Sequence, residues 1–110
     1  MRFIFKGVGA REVIGDFGCI GGGAAGLELD RADPGLGTPP HALTLATSRG
    51  GHTDVYLVVC EELLVTLPGL GGTENALVRA DMVFYETLNG GAVWSTGSIA
   101  WAGSLSHNGY

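Results

Sequence analysis

The feature that most constrains the fold of this sequence is a β-hairpin signal near the end of the chain. Two strand-like apolar runs, residues 81–87 and 92–97, flank an Asn89-Gly90 pair. Asn-Gly supplies the two positive φ angles of a two-residue type I′ turn, although Gly91 and the uneven flanks also allow a longer loop. An isolated hairpin is marginally stable, so the pattern also predicts a helix or a second sheet that covers it.

The composition indicates one globular, loop-rich domain. Of the 110 residues, 45% are hydrophobic and 15% are charged, and 20 are glycine, far above the usual glycine share of about 7%. The net charge is −5 and the six Lys and Arg residues form no basic cluster, which argues against nucleic-acid binding. No run reaches the roughly 18–20 apolar residues of a membrane span and no signal-peptide core is present, so we expect a cytoplasmic protein.

Strands dominate the expected secondary structure. The alternation of residues 41–47 predicts a strand. Residues 53–67 are ambiguous, because their apolar residues recur at helical spacing between a possible N-cap and Pro68-Gly69. Their first half is apolar all round and β-branched, which favours a buried strand there.

Residues 18–40 are expected to form a long glycine-rich loop. Loops of this length inside a domain are usually functional or disordered, and the apolar content of this one argues against a linker. The GGGAAG run at 21–26 has neither GxGxxG nor GK[ST], and no amphipathic helix follows it. A flexible or tightly folded glycine loop is therefore favoured over a phosphate-binding one.

The densest group of ionisable residues follows this run: Glu28, Asp30, Arg31 and Asp33. Their spacing favours a solvated turn in which Arg31 pairs with a neighbouring acid. In the alternative, Glu28 is partly desolvated among small and apolar residues, and such surroundings suit a carboxyl group to proton transfer. Arg31 could then orient a carboxylate or a substrate carbonyl.

The three histidines are far apart in the sequence: His41, His52 and His107. Each is expected to be an ordinary surface or core histidine, because none has a close metal-ligating neighbour. His107 is the best candidate for a role, since polar residues that include Asn108 surround it in a flexible loop after a strand. Neither of the two cysteines has Cys or His neighbours at zinc spacing.

Longer stretches carry a resemblance to a known family. They are IGDFG (14–18), GGAAGLELDR (22–31), DPGLGTPPHALTLA (33–46), NALVRADMVFYETLNGGAVWSTGSIAW (75–101) and GSLSHNGY (103–110). In order, and over nearly the whole chain, they resemble the C-terminal part of the large, or beta, subunit of N,N-dimethylformamidase. The resemblance implies an α/β class, namely a partial glutamine-amidotransferase-like domain that is strand-rich, with a long glycine-rich loop and a C-terminal hairpin.

The same resemblance implies a chemistry. The family hydrolyses the amide of N,N-dimethylformamide to dimethylamine and formate at a mononuclear iron, which tyrosine and glutamate side chains hold upstream of the resembling region. This chain is therefore expected to supply no metal ligand. A His–Glu pair beside the iron assists catalysis in the family, and the resemblance assigns Glu28 as its glutamate. Arg31, His107 and Asn108 are candidates for lining the substrate pocket.

The family's chain extends beyond both ends of the resembling region, so we expect residues 1–110 to be one truncated C-terminal domain. Such a fragment is expected to be inactive alone and to need the rest of the large subunit, a small subunit and an oligomeric assembly. Its substrate would be a small amide.

Two other functional hypotheses stay open beside the amidase fragment. One is a non-catalytic structural or subunit-docking domain whose interface is an apolar tail: Trp94, Ile99, Trp101 and Leu105. The other is a sugar- or nucleotide-binding loop built on residues 21–26, whose backbone N–H groups would converge on one point. A partly buried Glu28 that faces a cavity with residues 104–108 would favour the amidase, and a solvated Glu28 the docking domain.

Overall fold

The computed structural model describes residues 4–18, 23–26, 28–48, 55–60, 63–68 and 75–105. Strands make up most of the regular structure in these ranges: β1 (Leu43–Thr47), β2 (Val55–Cys60), β3 (Leu63–Pro68), β4 (Asp81–Glu86) and β5 (Ala92–Ser95). Two short 3₁₀ helices, Pro34–Leu36 and Ile99–Ser104, accompany them, and these ranges contain no α-helix. The strand-rich character is thus confirmed for the described ranges, whereas the α/β class stays a prediction.

Strands β1, β4 and β5 form an antiparallel sheet with β4 in the centre. Phe84 of β4 pairs with Leu43 on one side and with Trp94 on the other. The hairpin predicted from the sequence is therefore β4–β5, and the strand predicted at residues 41–47 extends it to three strands. The additional strand supplies the support that a lone hairpin lacks.

The loop between β4 and β5 is longer than a two-residue turn. The Gly90 N–H donates to the Thr87 carbonyl at 3.0 Å, and the Thr87 N–H donates to the Gly91 carbonyl at 2.7 Å. Gly90 has a φ of 80°, whereas Asn89 has no positive φ. This is the pattern of a type I turn followed by a left-handed glycine. The type I′ alternative is wrong because Thr87 pairs with Gly91, which leaves three residues, 88–90, in the loop. The longer loop is confirmed.

Strands β2 and β3 pair with each other in a second, two-stranded antiparallel sheet. Their register runs from Val55 opposite Pro68 to Cys60 opposite Leu63. For the described residues, 55–60 and 63–68, the ambiguity is therefore resolved as strand, and the helical alternative is wrong there. The β-branched, all-round apolar character of the first half outweighed the helical spacing of the apolar residues between Tyr56 and Leu67.

The buried hydrophobic residues of the described part lie around the start of β4 and the second 3₁₀ helix: Ala24, Ala80, Met82, Val83 and Ala100. Small side chains dominate because the backbone segments approach closely. Gly15, with a φ of 66°, has no room for a Cβ beside Ala24 and the Trp101 ring. The Ser104 hydroxyl also donates to the Phe17 carbonyl at 2.5 Å, which ties this helix to residues 15–18.

No helix in the ranges given above is both long enough and apolar enough to cross a membrane.

Candidate functional site

The carboxylate of Asp81 is the centre of a buried polar junction at the start of β4. Asp81 is only 3% exposed. It accepts hydrogen bonds from the Thr47 hydroxyl, from the Ala32 N–H at 2.9 Å, and from the Nε–H of Arg79 at 3.1 Å to each oxygen. One carboxylate therefore joins β1, β4 and the segment that follows the glycine-rich loop.

The electrostatics of the junction favour the charged carboxylate. Burial acts to raise the pKa of Asp81, because it disfavours the ionised form. The hydrogen bonds from Thr47, Arg79 and the Ala32 backbone, together with the charge of Arg79, outweigh burial and hold the pKa of Asp81 below its ordinary value. Arg79 is fixed in turn, because its guanidinium also donates to the Ala76 carbonyl at 3.0 Å.

Backbone hydrogen bonds attach the same segment to the sheet. The Asp81 N–H donates to the Asp30 carbonyl, and the Asp30 N–H donates to the Gly97 carbonyl, both at 2.9 Å. Gly97 has a φ of 72°, and a Cβ at this position would lie 2.6 Å from the Asp81 carbonyl oxygen. Only glycine fits there. The two hydrogen bonds hold Asp30 between Asp81, at the start of β4, and Gly97.

Glu28, the predicted catalytic residue, lies two residues before this attachment. It is exposed, and its φ of 49° is the only positive φ of a non-glycine residue in the described part of the chain. The partial burial considered for Glu28 is thus absent in this chain. A left-handed glutamate costs on the order of 1–3 kcal/mol and persists only where surrounding contacts hold it, a situation that recurs at functional sites.

Arg31 forms the ion pair that the sequence favoured. Its guanidinium lies 2.5 Å from an Asp33 carboxylate oxygen, and both side chains are partly exposed. Asp33 also caps the first 3₁₀ helix, because its other oxygen accepts the Gly35 N–H at 2.9 Å. This confirms the local pairing, whereas the predicted pocket role of Arg31 stays a prediction. His107 and Asn108 lie outside the described residues, as do Gly21 and Gly22 of the glycine run.

Among the residues that the structure describes, no three His, Cys, Asp or Glu side chains converge as metal ligands. These residues therefore do not fit an iron site. His41 instead has a structural position: its Nε2 lies 3.0 Å from the Glu86 carbonyl oxygen. Its ring meets Tyr85 edge-on, with ring centroids 6.0 Å apart.

The predicted apolar interface is partly exposed. Trp94, Ile99 and Leu105 are 51%, 58% and 61% exposed. Trp101 is more buried than these three, because its ring packs at Gly15. The apolar tail thus separates into three outward-facing residues and one that belongs to the packing of the chain.

Sequence reasoning missed Asp81 and Gly97. The signal for Asp81 was Arg79, two residues earlier, because residues i and i+2 of an extended segment share a face. A second signal was that Asp81 directly precedes the buried residues Met82 and Val83, because an acid that is buried with them needs a partner.

Comparison with known proteins places this small antiparallel domain among the C-terminal regions of enzyme subunits. A family profile described as "N,N-dimethylformamidase beta subunit-like, C-terminal" matches residues 1–110, and the chain belongs to this family. It is 48% identical over 110 residues to the N,N-dimethylformamidase beta subunit of Alcaligenes sp., a match that covers 100% of this chain and 14% of that protein.

A second relative is the N,N-dimethylformamidase beta subunit of Paracoccus aminophilus. It is 49% identical over 108 residues, which cover 98% of this chain and 14% of that protein. The chain thus spans 14% of the length of each of these relatives. The resemblance recognised in the sequence is confirmed.

Proposed function

We propose that this chain is the C-terminal part of an N,N-dimethylformamidase-like amidohydrolase. The complete enzyme would cleave a small N-substituted amide of the formamide type to an amine and a carboxylic acid. The observation that carries this proposal is the 48% identity, over the full length of the chain, to a protein named as an N,N-dimethylformamidase beta subunit. The three-stranded sheet would be part of a glutamine-amidotransferase-like α/β domain that the rest of the large subunit completes.

The proposal divides the work between this chain and the rest of the enzyme. Iron would be held by other parts of the large subunit, as the resemblance to the family implies. A small subunit and an oligomeric assembly would complete the enzyme. This chain would contribute a carboxyl group, that of Glu28, at the face where the parts meet.

Hydrolysis of an amide adds a hydroxyl group from water to the carbonyl carbon and a proton to the departing amine. Glu28 would take the proton from the attacking water and pass it to the amine nitrogen, as a general base and then a general acid. Glu28 is exposed in this chain, the state that favours the docking domain, so the amidase role requires the rest of the subunit to cover this surface. Arg31, His107 and Asn108 would line the pocket around the amide.

A chimeric enzyme tests the proposal. The matching segment of the Paracoccus aminophilus beta subunit is replaced by this chain, and N,N-dimethylformamide hydrolysis, iron content and subunit assembly are measured. We expect hydrolysis to persist in the chimera. An assembled, iron-containing chimera without hydrolysis would contradict the proposal, because the segment would then be unable to serve this reaction.

Glu28→Gln in the active chimera tests the assigned residue. Turnover should fall on the order of 10²–10⁴-fold, the usual contribution of general acid–base catalysis, with iron content unchanged. Glu86→Gln is the matched control, because Glu86 is an exposed carboxylate at the far end of β4. Wild-type turnover of the Glu28→Gln chimera would remove Glu28 from the mechanism.

A docking role is the second candidate, and both the exposed apolar side chains and the exposed Glu28 favour it. Trp94 is 51% exposed and lies opposite Phe84 on the edge strand β5. If docking is the function, Trp94→Ser should weaken assembly of the chimera while Glu28→Gln leaves turnover unchanged. The opposite pattern, normal assembly of Trp94→Ser and slow turnover of Glu28→Gln, would support the amidase role and contradict the docking role.

A further inference from the structure

We infer that Asp81 and Gly97 are positioning residues for Glu28. They hold residues 30–32 by hydrogen bonds, and Glu28 lies two residues before this held segment. The inference rests on the proposed role of Glu28 and adds the device that orients it. Neither Asp81 nor Gly97 would touch the substrate.

Three hydrogen bonds attach this segment, at residues 30 and 32. The Ala32 N–H donates to the Asp81 carboxylate at 2.9 Å. The Asp30 carbonyl accepts the Asp81 N–H, and the Asp30 N–H donates to the Gly97 carbonyl, both at 2.9 Å. Glu28 therefore lies two residues from Asp30, whose backbone makes two hydrogen bonds. The freedom of the Glu28 backbone to move is correspondingly small.

The anchor itself is rigid. The Asp81 side chain is 2% exposed and lies 3.1 Å from the guanidinium NH2 group of Arg79. The Thr47 hydroxyl donates to its other oxygen. Because donors engage both oxygens from two directions, the carboxylate cannot rotate without losing a bond. It is thus a fixed acceptor for the Ala32 N–H.

The conformation of Glu28 makes this anchor consequential. At a φ of 49° the glutamate is held in a region that favours glycine, and release of the segment would let it relax to a negative φ. Such a relaxation turns the side chain to another direction. A misplacement of about 1 Å can cost roughly 10²-fold in rate, which is the scale expected for loss of the anchor.

A double-mutant cycle in the assembled, iron-loaded enzyme that contains this chain tests the inference. The variants are Asp81→Asn, Glu28→Gln and the two combined, with Glu86→Gln as the control on the same strand. We expect Asp81→Asn to lower kcat by roughly 10–100-fold while KM and iron content stay close to wild type. The double variant should be no slower than Glu28→Gln alone, because a positioning residue has no effect once its target is removed.

The results separate the possible failures. An Asp81→Asn loss of equal size in both backgrounds would overturn the inference, because it would show a general structural effect. Wild-type kcat for Asp81→Asn beside a slow Glu28→Gln would overturn the inference alone and leave the proposed function standing. Wild-type kcat for Glu28→Gln would overturn both.

Thr47 provides a milder variant in case Asp81→Asn does not fold. Thr47→Val removes the hydroxyl donor to Asp81 and keeps the side-chain shape, whereas Thr47→Ser keeps the donor. We expect Thr47→Val to lower kcat only when Glu28 is present, and Thr47→Ser to restore it. Equal kcat values for the valine and serine variants would overturn the inference.

Discussion

Replacing Asp81 with asparagine exchanges one oxygen for an NH2 group and removes one charge, with almost no change in volume. Asparagine has a single carbonyl acceptor and two N–H donors. One carboxylate oxygen of Asp81 faces the Thr47 hydroxyl and Arg79, and the other faces the Ala32 N–H and Arg79. In either orientation, the new NH2 group therefore meets at least one existing donor.

The cost can be worked from these contacts. The better orientation turns the amide NH2 towards Thr47, whose hydroxyl can rotate and accept. What is lost is then the ionic part of the contact with Arg79. Hydrogen bonds to charged groups contribute about 1.5–3 kcal/mol, and breaking a buried ion pair costs about 3–5 kcal/mol. The Arg79 side chain is 28% exposed, so water screens the remaining charge. We expect Asp81→Asn to lower the free energy of unfolding by about 2–4 kcal/mol.

Urea unfolding at neutral pH, followed by tryptophan fluorescence, measures this change. The midpoint should fall by roughly 1–2 M if the urea dependence is about 2 kcal/mol per molar, the middle of the usual range for small proteins. The control is Glu86→Gln, an exposed carboxylate on the same strand, which should change stability by less than about 0.5 kcal/mol. An Asp81→Asn change no larger than that of the control, with an unchanged urea dependence, would refute the buried junction.

Three further predictions follow from the same geometry. Because folding lowers the pKa of Asp81 from its ordinary 3.8, its stabilisation is complete at neutral pH and is lost as the pH falls below 3.8; wild type should therefore lose more stability than Asp81→Asn between neutral and acid urea titrations. Glu28→Gly should be more stable than Glu28→Ala by about 1–2 kcal/mol, because only glycine relieves the left-handed φ, and equal stabilities would contradict that conformation. Gly97→Ala should destabilise the protein more than Gly90→Ala, since both have a positive φ but only at Gly97 would a Cβ clash with backbone; thermal unfolding of the two variants compares them.

Local patterns predicted the strands well. The β-branched and alternating runs indicated β1, β4 and β5, and the Asn89-Gly90 pair indicated the hairpin between β4 and β5. The turn type could not be read from that pair alone. It depends on which carbonyl accepts the Thr87 N–H, and this is the carbonyl of Gly91. Side-chain period therefore fixed the elements, whereas the loop conformation followed from how the strands pair.

Two of the donors to Asp81 could not be predicted because they are distant from it in the sequence. Arg31 and Asp33 are two residues apart, and their pairing was predicted correctly from spacing. Asp81 instead meets Ala32 across 49 residues and Thr47 across 34. No local pattern encodes such contacts. The strand register sets Thr47 opposite Asp81 and so brings the hydroxyl donor to the carboxylate. The segment that follows the glycine-rich loop brings the Ala32 N–H.

The Asp81 junction and an exposed row of apolar side chains lie on opposite faces of the three-stranded sheet. The Asp81 carboxylate binds residue 32 of this chain. On the other face, Leu43, Phe84 and Trp94 form a row across all three strands, and its outer members are 46% and 51% exposed. A chain that spans 14% of its relatives' length would find cover for such a row in the remainder of the subunit. The Asp81 junction lies on the opposite face, so cover of the apolar row would not by itself bury Glu28. The docking and amidase proposals therefore use different surfaces of the sheet, which is why Trp94→Ser and Glu28→Gln can test them separately.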